Sequence, residues 1–76
     1  MEKIKLLLII FYEYKSSRIE LTIAVKTINA PLKKVIEKLD RESKEIYWGD
    51  CFEGIRIEWT AYYKNFVLDR GTIDIL

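Results

Sequence analysis

One stretch of this chain has the periodicity of an amphipathic helix, and nearly everything around it alternates as strands do. In Pro31–Glu45, PLKKVIEKLDRESKE, the apolar residues Leu32, Val35, Ile36 and Leu39 fall at i, i+3, i+4 and i+7. That spacing makes one apolar stripe on a helical period. The other positions are mostly charged. Lys33 and Glu37, Glu37 and Arg41, Lys38 and Glu42, Asp40 and Lys44, and Arg41 and Glu45 are opposite charges at i,i+4. Each such pair stabilises an exposed helix by about 0.2–0.5 kcal/mol. Pro31 suits the first turn, where its missing N–H costs nothing.

A helix with one apolar stripe needs an apolar surface to lie on, and the flanking segments supply it. Lys3–Tyr14, KIKLLLIIFYEY, is apolar on both faces through its middle. It reads as a central strand covered on both sides, or covered on one side by another subunit. Lys15-Ser16-Ser17 forms a turn, and Arg18–Thr27 then alternates strictly. Ile19, Leu21, Ile23 and Val25 are expected inside and Glu20, Thr22, Ala24 and Lys26 outside, which makes the pair a hairpin seating the helix. Glu45–Trp48 is expected as a short strand and Gly49–Gly54 as a loop. Ile55–Lys64 alternates again, with Ile55, Ile57, Trp59, Ala61 and Tyr63 on one face. Phe66–Leu68 is a short apolar piece. Asp69-Arg70-Gly71 reads as a turn in which Gly71 is free to take positive φ. Thr72–Leu76 is a last strand.

The order ββα(β)ββ predicts an α+β fold in a single domain spanning residues 1–76. One form is the ubiquitin-like β-grasp arrangement. It is a mixed four- to five-stranded sheet, its first and last strands parallel at the centre, with one helix packed on one face. The alternative form is an antiparallel ββαββ sheet with one helix.

Composition narrows the function. The sequence has no histidine, which removes the Ser-His-Asp and Cys-His arrangements and the usual acid–base group near neutrality. Its three glycines never fall in a phosphate-cradling spacing. No enzymatic activity, cofactor or metal site is therefore expected. Cys51, the one cysteine, reads as a small hydrophobe rather than a reactive thiol or cation ligand. A lone cysteine permits no internal disulfide and points to a reducing, cytoplasmic setting. The longest uncharged apolar run, Leu6–Tyr12, is far shorter than the roughly 20 residues of a membrane helix. Gln is absent while Lys, Glu and Ile are abundant, a profile of heat-adapted proteins.

The net charge of +1 favours no strongly charged partner. Lys33, Lys34 and Lys38 are diluted by Glu37, Asp40 and Glu42 and read as a solvated face. Trp48, Trp59 and the tyrosines fit strand faces, and Lys and Arg are interleaved with Asp and Glu, so nucleic acid is only a third reading, after a protein partner and a second copy of the chain. Tyr62, on the polar side of its strand, is the best exposed contact.

The ending Leu68–Leu76, LDRGTIDIL, resembles that of the small ubiquitin-like sulfur carriers, the MoaD-like and ThiS-like proteins. The segment IRIEWTAYYKN, ending at Asn65, resembles the strand carrying their Val-Asn-Gly turn. Pro31–Leu39 resembles their single helix, and Lys3–Phe11 their first strand. Thr72 stands where the family has Asp. The resemblance implies a non-enzymatic module that works by binding a protein partner. Family members end in a Gly-Gly whose carboxylate carries sulfur. The sequence stops at Leu76 without it, so Ile75 and Leu76 would mark the root of such a tail and join Tyr62 as candidate partner contacts.

Overall fold

A computed structural model describes residues 3–29 and 31–76. The elements are β1 (Ile4–Tyr14), β2 (Ile19–Ile28), α1 (Leu32–Glu45), β3 (Phe52–Tyr63) and β4 (Phe66–Asp74). They form a four-stranded sheet in the order β2-β1-β3-β4, and every pairing is antiparallel. Of the two forms the sequence allows, the antiparallel ββαββ sheet is the one observed.

The mixed sheet does not form, and the cause is local. The chain reverses at Lys64-Asn65, where both residues take positive φ (47° and 70°). Two such residues in a row are the geometry of a tight type I′ hairpin. That turn folds β4 straight back against β3, and β3 already lies beside β1, so β4 is left at the sheet edge rather than parallel to β1 at its centre. Asp69-Arg70-Gly71 is therefore not a turn but the middle of a continuous β4. Glu45–Trp48 is not a strand either: α1 runs through Glu45, and Ile46–Trp48 is irregular.

β2 and β3 both oppose β1, so they run parallel to each other with β1 between them. Parallel strands need a crossover, and α1 is that crossover, laid across one face. Its start is set by Pro31, whose carbonyl accepts from Lys34 N at 3.0 Å and Val35 N at 3.2 Å. Of the five charge pairs along its surface, two close: Lys44 Nζ to Asp40 Oδ1 at 2.7 Å and Lys38 Nζ to Glu42 Oε1 at 3.9 Å. At the far end a helix leaves carbonyls without internal partners. Here Trp48 Nε1 donates to Ser43 O at 2.9 Å. The Trp48 ring lies 6.2 Å from that of Tyr12, so this contact ties the helix end to β1.

The core lies between α1 and one face of the sheet. Leu6, Leu8, Ile28, Ile57, Trp59, Ala61 and Ile73 are buried there. Leu32, Val35, Ile36 and Leu39 of the helix pack against them, so the helical stripe does what its period predicts. Gly71 sits opposite Trp59 across the β3–β4 ladder, under the indole.

The β1–β2 connection turns over three residues, 15–17, between the bonded pair Tyr14 and Arg18. Ser17 N donates to Tyr14 O at 2.9 Å, Tyr14 N donates to Arg18 O at 2.9 Å, and Ser17 takes φ 63°. This is a tight turn closed by one residue in the left-handed region, where glycine is favoured. Ser17→Gly is expected to stabilise the protein by about 1 kcal/mol by removing that strain, read as a higher urea midpoint at unchanged m-value. Beside the turn, Tyr14 Oη donates to Glu20 Oε2 at 3.2 Å. Partial desolvation and then the Glu20 charge hold the Tyr14 phenol above the usual tyrosine range, with Arg18 opposing.

Candidate protein-interaction face

The register of β1 and β2 decides which residues meet solvent. Leu6 pairs with Lys26, Leu8 with Ala24 and Ile10 with Thr22, while Leu7 pairs with Val25, Ile9 with Ile23 and Phe11 with Leu21. Residues directly opposite share a face. Leu6 and Leu8 lie under the helix, so Lys26, Ala24 and Thr22 take that side of β2. Ile19, Leu21, Ile23 and Val25 take the other side. The expectation that these four point into the core is overturned: they are 68%, 55%, 61% and 64% exposed. Alternation alone groups residues by face without saying which face is covered. Nor is β1 covered on both sides, since on the open side Leu7, Ile9 and Phe11 remain half-buried.

The result is an apolar stripe two strands wide along β1 and β2, on the face opposite the helix. From Arg56 to Thr60 the β3 and β4 half of the same face is polar, and beyond the register shift the exposed Val67 stands opposite Tyr62. Arg56, Glu58 and Thr60 stand opposite Asp74, Thr72 and Arg70. Arg56 marks the boundary: its guanidinium stacks on the Phe11 ring at 4.7 Å and its NH2 nitrogen lies 3.8 Å from Glu58 Oε1.

Two shallow depressions flank the stripe. One, of about 380 Å³, includes Lys3, Lys5, Leu7, Val25, Tyr62 and Lys64 in its lining. Tyr62 therefore sits on the open face, half-buried, among three lysines. The other, of about 360 Å³, includes Phe11, Glu13, Ile19, Arg56, Asp74 and Leu76. Leu76 is exposed there, while Ile75 is half-buried against the core. The amides of Ile75 and Leu76 both donate to Ile55 O, at 2.8 and 3.3 Å. The three candidate residues are thus not brought together. Tyr62 pairs with Lys5 near the start of β1, and Leu76 lies by Glu13 at its far end, about 26 Å away at strand rise. What joins the two ends is the β1–β2 stripe. The sequence signal for it is the doubly apolar β1, the feature that also raised cover by another subunit.

Cys51 is exposed, contrary to its reading as a partly buried small hydrophobe. It sits in the loop before β3, and its carbonyl accepts from Lys15 N at 3.0 Å. Among the described residues no group of three His, Cys, Asp or Glu side chains could hold a metal ion. No helix among them is long and apolar enough to cross a membrane. Comparison with protein-family models, curated proteins and solved structures finds no match.

Proposed function

We propose that this chain is a non-enzymatic protein-interaction module that binds its partner through the open sheet face. The observation that carries this reading is the exposure of Ile19, Leu21, Ile23 and Val25 beside Leu7, Ile9 and Phe11. A contiguous apolar patch with a polar rim marks an interaction site on a small protein, and the Arg56–Glu58–Asp74 half supplies that rim. Kinship with the ubiquitin-like sulfur carriers is supported by the ββαββ order and the LDRGTIDIL ending. The edge position of β4 departs from the β-grasp centre. The carrier version further requires a Gly-Gly carboxylate after Leu76 in the cellular product, which intact-mass analysis would read.

A photo-crosslinking residue placed at Ile9 or Leu21 tests the interaction reading in cells. Adducts are expected from these two positions and not from Lys34 on the helix. Adducts from Lys34 alone would overturn it. A second reading is favoured by one arrangement: Lys3, Lys5 and Lys64 line the same depression as Tyr62, basic residues beside an aromatic ring of the kind that binds single-stranded nucleic acid. Binding of an oligonucleotide that weakens steeply with salt would support it.

A further inference from the structure

We infer that a second copy of this chain pairs with the outer edge of β2, antiparallel about a two-fold axis through Ile23. This edge is a different surface from the open face, and the inference goes beyond the function proposed above. β2 is paired on one side only and spans Ile19–Ile28 without a bulge against β1. The opposite edge, β4, is interrupted by a register shift at Ala61/Tyr62, the kind of irregularity that blunts an edge against pairing. β2 contains no proline and is not blunted in that way.

The backbone geometry fixes which residues would pair. Because Tyr14 N bonds Arg18 O, the even-numbered residues of β2 direct their N–H and C=O groups at β1. Those of Ile19, Leu21, Ile23, Val25 and Thr27 then point outward, by the alternation of an antiparallel ladder. With the axis at Ile23, Ile23 pairs with the partner's Ile23, Leu21 with the partner's Val25, and Ile19 with the partner's Thr27. The five odd positions of each copy then exchange about ten backbone hydrogen bonds, a usual number for a stable interface.

The side chains select the same register. On the helix face, Glu20 of each copy lies directly opposite the partner's Lys26, giving two symmetry-related opposite-charge pairs. Sliding by two residues in one direction sets Arg18 against Lys26, and sliding in the other leaves Glu20 and Lys26 with no charged residue opposite them on the second copy, Glu20 keeping only its own chain's Arg18 at 3.3 Å. On the open face Leu21, Ile23 and Val25 meet their counterparts in one apolar row, so the stripe becomes continuous across both copies. A slip by one residue would set the apolar face of one copy level with the polar face of the other.

Sedimentation equilibrium of the full chain tests this through a charge swap. The wild-type protein is expected at twice the 9.1 kDa chain mass. Glu20→Lys alone and Lys26→Glu alone are each expected to weaken the dimer about tenfold, because two attractive contacts become repulsive. The double variant Glu20→Lys with Lys26→Glu is expected to restore it. Ile23→Pro removes an N–H that points away from β1, so an edge strand tolerates it; it is expected to yield a folded monomer. Ile9→Thr alters the open face without touching the edge and is expected to leave the dimer intact. A monomeric wild type, or a dimer indifferent to the single swaps and to Ile23→Pro, overturns the inference. Loss of the dimer in Ile9→Thr would also overturn it, placing the contact on the open face, whereas loss of crosslinks in Ile9→Thr with the dimer preserved bears on the open-face reading alone.

Discussion

Gly71→Ala is expected to destabilise the protein by about 2 kcal/mol and lower its Tm by about 10 °C. A methyl group at Gly71 would lie 2.6 Å from Trp59 Cζ2 and 2.8 Å from Cε2 and Nε1. These are atoms of a rigid bicyclic ring, with no flexible end to swing aside. Trp59 is only 9% exposed, so its ring cannot retreat without disturbing what packs on it. An aromatic side chain lying over a glycine of the neighbouring strand covers backbone that would otherwise be bare, and an edge strand gains from that cover. Thermal unfolding followed by circular dichroism reads the effect. The double variant Trp59→Phe with Gly71→Ala localises it: a smaller ring leaves room for the methyl, so the combined loss should fall below the sum of the two single losses. Strict additivity would mean the ring and the glycine do not constrain each other.

Gly71 also shows why the second half of the sheet is not legible in the local sequence. Asp69-Arg70-Gly71 has the chemistry of a turn, and Lys64-Asn65 contains no glycine at all. The actual turn is at Lys64-Asn65, where asparagine tolerates the left-handed region better than most residues. Glycine at position 71 answers to a neighbour distant in sequence, and no local rule detects that. The helix was legible because its stripe is local: Leu32, Val35, Ile36 and Leu39 declare a face, and a charged opposite face leaves it one way to lie. β3 was legible for a similar reason, since Ile55, Ile57, Trp59 and Ala61 share a face and all are buried. The candidate site was legible only in part. Tyr62 was expected on the polar side of its strand and does stand on the open face. The β1 half of the stripe is signalled by that strand's second apolar face, whereas placing the β2 half requires the β1–β2 register together with the side on which α1 crosses.

Two substitutions of one residue type measure that side directly. Ile57→Ala is expected to cost about 2–5 kcal/mol, the range for truncating a buried isoleucine, since Ile57 is 1% exposed beneath the helix. Such a loss is comparable with much of the stability of a small domain, so partial unfolding at ambient temperature is the anticipated outcome. Ile23→Ala, at 61% exposure, is expected to change the stability of the monomer by no more than about 0.5 kcal/mol. Both are read by urea denaturation at protein concentrations low enough to keep the chain monomeric, because a partner copy that buries Ile23 would add its own stabilisation by mass action. If the helix instead covered the Ile19–Val25 side of β2, Ile23→Ala would approach Ile57→Ala in cost. The exposed stripe, and the interaction reading built on it, would then be wrong together. A small loss for Ile23→Ala in dilute solution that grows with protein concentration would be the signature of a residue that the isolated fold does not need and the assembled one does.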